Sequence, residues 1–190
     1  MDNVNKNSDR KFLVNVDDCN KVLSSIKTVL LEKNRRYGNS ALEPLNVFYK
    51  GDASNSILIR LDDKLSRIKN SSELRKNDLY DLLGYCILLL VSWDYENTSF
   101  EDKVDKCINR VKSDYFNGNC HEDCYIGQEN FKFNGFSKNN KNNIIDCLNG
   151  VCGDIKKSSA ILHSLVYRLI DFLTIYFIEN NITDFSDLID

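Results

Sequence analysis

The stretch that decides the fold is Lys76-Asn-Asp-Leu-Tyr-Asp-Leu-Leu-Gly-Tyr-Cys-Ile-Leu-Leu-Leu-Val-Ser-Trp93. Drawn as a helix it is apolar nearly all round, with Leu79, Leu82, Leu83, Cys86, Leu89 and Leu90 spread over its circumference. A helix of that kind is stable in water only when other elements surround it. A helix from about Ser72 or Lys76 to Trp93 is therefore expected at the centre of the core. Its charge is confined to the first turns, where Asp78, Asp81 and Tyr85 share one face because positions i, i+3 and i+7 stack above one another.

Working outward, Asn70-Ser71-Ser72 breaks this helix from an earlier one, from about Ser54 or Ser56 to Lys69, with Leu58, Leu61, Leu65 and Ile68 on one side. Before it, residues 39–55 contain Pro44 and Gly51 and read as a long loop with Leu45, Val47 and Phe48 tucked inward. The first helix carries Val22, Leu23, Ile26, Val29 and Leu30 at three- and four-residue spacing, with Asp17 or Asp18 as its cap and an end near Tyr37-Gly38. Downstream, Val104, Cys107, Ile108 and Val111 mark a shorter amphipathic helix. A polar stretch, 117–143, reads as irregular or as a small hairpin around Phe131, Phe133 and Phe136. A long apolar helix then spans about Ser158 to Asn180, and a short element capped by Thr183 closes the chain with Phe185 and Leu188. There is no internal repeat and no glycine motif for a dinucleotide or a P-loop.

The expected class is thus an all-α bundle, one helical domain over residues 11–190 behind a polar, disordered leader at 1–10. Within it, residues 11–94 form one set of helices, and 95–190 a helical extension with an irregular 117–157 segment. At 190 residues, 42% hydrophobic and 28% charged, the chain can bury a full core. A net charge of -3 leaves nucleic acid as no default partner. The leader lacks the apolar run of a signal peptide, and the apolar segments are interrupted by Ser92, His163, Arg168 and Asp171, which argues against a membrane span. Seven scattered cysteines, an odd number, fit a reducing compartment, the cytoplasm.

Chemistry concentrates on two helices. Arg60-Leu-Asp-Asp-Lys64 followed by Arg67 lies on the second, Asp78 and Asp81 on the third. If the two pack antiparallel, as their short connection implies, Asp62 or Asp63 approaches Asp78 and Asp81. Converging carboxylates repel one another unless a cation sits between them, and Mg²⁺ prefers such hard oxygen ligands. Arg60, Lys64 and Arg67 would add charge for a polyphosphate. The plainer reading stands beside this one: aspartates in a first turn are commonly caps or macrodipole partners, and Asp-Asp-Lys is commonly a solvated face.

Three runs carry a more specific signal. Glu32-Lys-Asn-Arg-Arg-Tyr-Gly-Asn-Ser-Ala-Leu-Glu-Pro-Leu45, Arg60-Leu-Asp-Asp-Lys-Leu-Ser-Arg-Ile68 and Asp78-Leu-Tyr-Asp-Leu-Leu-Gly-Tyr85 together resemble small phage and prophage proteins related to MazG, of the all-α nucleoside triphosphate pyrophosphohydrolase superfamily. The resemblance covers about residues 20–93. It implies a helical bundle of that type and a Mg²⁺-dependent hydrolysis of a (deoxy)nucleoside triphosphate to monophosphate and pyrophosphate. By position, Asp78 and Asp81 match the family's Glu-x-x-Asp pair, and Asp62 and Asp63 match the acids that open its Glu-Glu-x-x-Glu motif; these four are the expected metal ligands and catalytic residues. The last acid of that motif falls at Ser66, which has no carboxylate to offer. Glu32 is the expected substitute, with Lys33, Asn34, Arg36, Tyr37 and Tyr85 near the base or phosphates. The alternative is an inactive member of phage type that binds a nucleotide or a host protein. An apolar helical half also leads us to expect a homo-oligomer.

Two features lie outside the resemblance. Cys120, Cys124, Cys147 and Cys152 form two close-spaced pairs from which a tetrahedral zinc site can be built, although incidental thiols are the commoner outcome. Cys86 reads as a small buried thiol and His163 as a satisfied core histidine, while Tyr167, Phe172, Tyr176 and Phe177 read as core or as a dimer seam.

Overall fold

The computed structural model describes residues 15–48, 50–116 and 159–189, without the side chains of 114–116, 159–161, 164 and 168. Among the described residues five helices pack into an all-α bundle: α1 (Val16–Tyr37), α2 (Ala53–Asn70), α3 (Lys76–Ser92), α4 (Phe100–Phe116) and α5 (Ser159–Glu179), followed by a 3-10 turn at Ser186–Leu188. The expectations for 1–10, for the irregular segment and hairpin, and for zinc on Cys120, Cys124, Cys147 and Cys152 lie outside the described residues.

Helix α3 is the hub, packed against all four other helices. Leu79, Tyr80 and every residue from Leu82 to Val91 except Tyr85 are buried on it, as the all-round apolar pattern predicts. Gly84 lets α1 come close: a Cβ there would stand 3.5 Å from the Leu30 side chain and 3.9 Å from that of Ile26. The buried face of α1 is Cys19, Val22, Leu23, Ile26, Val29 and Leu30, the expected stripe with one cysteine added.

Local chemistry sets the helix ends. Asn15, not Asp17 or Asp18, caps α1, its Oδ1 accepting from Asp17 N at 3.0 Å. The two aspartates fall in the first turn, where they oppose the helix dipole. Gly38, at φ 63°, ends the helix in a conformation that L side chains rarely adopt. Asp52 caps α2 through Asn55 N at 2.7 Å. Ser99 opens α4 with a reciprocal pair: its Oγ accepts from Asp102 N at 3.1 Å while the Asp102 carboxylate accepts from Ser99 N at 3.3 Å.

The loop after α1 departs from expectation. Leu45, Val47 and Phe48 are not tucked in but 92, 67 and 101% exposed. The turn at Asn39–Glu43 places Ala41 and Leu42 against the core instead, so the inward contact is made before the three apolar residues are reached.

At the other end the cap position of the last turn is Phe185 rather than Thr183, and the preceding Asp184 accepts from Ser186 N at 2.8 Å. Phe185 is fully buried between Phe177, with ring centroids 4.8 Å apart, and Tyr80, at 5.2 Å. Its N–H donates to Ser25 Oγ of α1 at 2.9 Å. Lys76 pairs with Asp187 at 2.7 Å, and Arg36 donates to the Ile189 carbonyl at 2.8 Å. The tail thus straps the N-terminal end of α3 to α1. Among the described residues no helix is long and apolar enough to cross a membrane.

Candidate functional site

Helices α2 and α3 run antiparallel. Ser54 Oγ meets Ser92 Oγ at 2.9 Å, Arg60 meets Tyr85, and Lys64 meets Asp81 and Asp78, a register that rises on one helix as it falls on the other. The acidic face of α3 is therefore turned toward α2, as its spacing predicts.

What meets that face is a lysine. Lys64 Nζ lies 2.6 Å from Asp81 Oδ2 and 3.8 Å from Asp78 Oδ1, with only 13% of the Lys64 and Asp78 side chains and 29% of Asp81 exposed. An ammonium on a flexible stem that reaches across from the next helix relieves the repulsion between the two carboxylates. It occupies the place assigned above to a divalent cation.

The α2 acids do not join the cluster. Asp62 and Asp63 are both exposed, and Asp63 Oδ2 pairs with Arg67 Nη2 at 3.1 Å along α2 itself. Ser66 is exposed and adds no charge. Glu32 is committed elsewhere: its carboxylate lies 2.6 Å from Arg35 and 2.7 Å from Arg36, and those hydrogen bonds hold it down to a pKa of about 2. Lys33 Nζ stands 5.0 Å over the Tyr80 ring, Asn34 Nδ2 donates to Asn39 Oδ1 at 3.1 Å, Arg36 also holds the tail, and Tyr37 is 62% exposed. The end of α1 thus meets α3 at Tyr80, whereas α2 meets it at Asp78, Asp81 and Tyr85. Among the described residues no three His, Cys, Asp or Glu side chains come together as a metal site would require. In this arrangement the donors do not fit Mg²⁺: two carboxylates already share an ammonium, and the other three are exposed or bound to arginines.

Arg60 is a cation of α2 that this network leaves over. It is exposed, its guanidinium carbon lies 5.8 Å from the Tyr85 ring centroid, and its Nη1 lies 3.4 Å from Tyr85 Oη. No carboxylate pairs with it among the described residues.

A second feature sits at the far end of α3. A cavity of about 480 Å³ is lined there by Trp93, by the 94–96 connection, by Lys103, Lys106 and Arg110 of α4, and by His163 and Tyr167 of α5. His163 is not enclosed in the core as expected; it stacks on Trp93 at the cavity wall, with centroids 5.0 Å apart. One signal was readable in advance, since 103, 106 and 110 fall at i, i+3 and i+7 and make one basic face of α4. Compared with models of protein families, with characterised proteins and with solved structures, the chain matches none.

Proposed function

We propose that this chain is a nucleotide-binding helical module of MazG-like ancestry that holds its acidic pair with a lysine rather than with a metal ion. One observation carries the reading: Lys64 Nζ within 2.6 Å of Asp81 and 3.8 Å of Asp78. Lys64 answers one of the two carboxylate charges from inside, and the α2–α3 face presents Arg60 beside the Tyr85 ring, an arrangement suited to a phosphate and a stacked base. The binding step then needs no metal-activated water. Three buried free thiols, Cys19, Cys86 and Cys107, are in keeping with a reducing cytoplasm. The exposed Leu45, Val47 and Phe48 are in keeping with self-association, which light scattering would measure.

A hydrolytic reading is favoured by a single point, that Asp78 and Asp81 already converge on one cation. A Mg²⁺–nucleotide that displaced the lysine stem would restore the chemistry the resemblance implies. A panel of deoxynucleoside triphosphates, titrated with and without Mg²⁺ while pyrophosphate is measured, separates the two. Binding without release, weakened in Arg60→Ala, supports the module. Release of pyrophosphate that Asp81→Asn abolishes replaces it with the hydrolase.

A further inference from the structure

The cavity at the C-terminal end of α3 has the size of a ligand site, since its volume of about 480 Å³ falls in the range of roughly 300–1,000 Å³ that small-molecule pockets occupy. Its walls combine rings with positive charge. Trp93 and His163 stack at an interplanar angle of 26°, and the Tyr167 ring is tilted against His163 with centroids 5.4 Å apart. Tyr95 stands at the rim, 91% exposed, a ring that no other part of the described chain covers. Burial, and then the charge of Arg110, hold His163 below its ordinary pKa of 6.5, so at pH 7 it is a neutral ring.

The charges are unevenly used. Lys106 closes onto Asp94 at 3.1 Å and Glu96 at 2.6 Å, so the two acids of the wall are already answered. Lys103 donates to the Asp94 carbonyl at 2.7 Å, which satisfies a hydrogen bond without cancelling its charge. Arg110 lies over the Tyr167 ring, 5.0 Å from its centroid, with no carboxylate partner among the described residues. A guanidinium laid on a ring keeps its outward N–H groups for an anion, and a planar ring beside it has faces to stack on.

We propose that this cavity is a binding site for a planar heteroaromatic molecule carrying an anionic group, of the nucleoside monophosphate class, with its ring against Trp93 and Tyr95 and its anion on Arg110. The site is separate from the α2–α3 face and does not depend on what that face does. Trp93 is the single tryptophan of the chain, so its fluorescence reports occupancy directly.

Titration with AMP and dTMP should give a saturable change in Trp93 emission, whereas adenosine and inorganic phosphate, each lacking one half of the ligand, should bind about tenfold more weakly or worse. Arg110→Ala should cost about tenfold in AMP affinity, Arg110→Lys should recover part of it, and Tyr95→Ala should cost at least about fivefold. Both side chains are exposed, so the folded state is kept, and unchanged thermal melts would verify this. Lys64→Ala and Arg60→Ala should leave the titration unmoved. No saturable response to either monophosphate, an equal response to inorganic phosphate alone, or affinities indifferent to Arg110→Ala would each overturn the proposal. Triphosphate binding that answers to Arg60 while AMP gives no response would remove this site and leave the module reading standing.

Discussion

The two ends of α3 treat their surroundings differently. At the N-terminal end ion pairs tie α3 to other elements: Lys64 from α2 lies on Asp81, and Asp187 from the tail on Lys76. Phe185 fills the space beneath, and the tail covers it. At the C-terminal end the same helix runs out into an open cavity where rings outnumber acids and where, among the described residues, Arg110 rests on a ring and pairs with no carboxylate. The lesson is about where free energy for binding is left over. A face whose ion pairs are already made gives stability, although the buried Tyr80 hydroxyl finds no partner there among the described residues, and a ligand gains there mainly by displacing something. A face with an unmatched cation and uncovered rings has that energy in hand.

If the closed end is closed by Phe185, its removal should be the largest single loss in the molecule. Phe185→Ala deletes a fully buried ring wedged between Tyr80 and Phe177, and such truncations cost about 3–5 kcal/mol. Urea unfolding should show the midpoint fall accordingly, and hydrogen exchange should show the tail released first. A loss under about 1 kcal/mol would mean that the strap rests on α3 without holding it.

Lys64→Ala comes next. It leaves Asp78 and Asp81 side by side on the face of α3 turned toward α2 with no cation, which costs about 1–3 kcal/mol once the remaining exposure of Asp81 is allowed for. The variant carries its own control. Two freed carboxylates are a better Mg²⁺ or Mn²⁺ site than the parent offers, so millimolar divalent ion should restore part of the lost melting temperature in the variant and do little to the parent. A variant that melts like the parent, with or without the ion, would show that the lysine contact carries no weight.

This pair of ends also shows how much the sequence disclosed. The helices were legible because their apolar residues recur every three or four positions, and α3 was legible as the hub because Leu79 to Val91 leaves no polar side of any width. The facing of Asp78 and Asp81 toward α2 was legible from their spacing and the short link after Asn70. Which cation would meet them was not: Arg60, Lys64 and Arg67 lie on one stripe of α2, and nothing in a linear spacing says that Lys64 bends onto α3 while Arg67 bends back to Asp63. The cavity was harder still. Its stacked pair joins residues 93 and 163, whose contact is set by how α5 packs against α3 and α4 and not by any local pattern. Leu45, Val47 and Phe48 misled because an apolar residue in a loop is read as buried, yet Ala41 and Leu42 already supply that loop's contact with the core.

The smallest expected effects lie in pH, and they separate the two ends most cleanly. Glu32, beside the strap, has its pKa lowered by hydrogen bonds from Arg35 and Arg36 to about 2. A carboxylate depressed in the folded state contributes its stability fully above its ordinary pKa of 4.5, and that contribution drains away as pH falls toward 2. Glu32→Gln should therefore flatten the stability profile in that acid window alone. His163, at the open end, is depressed too, but it is a base, and its neutral form is the one the fold favours. Below 6.5 the unfolded chain takes up the proton first, so stability present above that value is lost as pH falls through it. His163→Gln should remove this shallow loss that sets in below 6.5 and leave the Glu32 limb untouched. Two substitutions that each erase a different limb would show that the ends of α3 titrate independently; one that altered both limbs would join them into a single electrostatic unit, and the contrast between a satisfied end and an open one would have to be withdrawn.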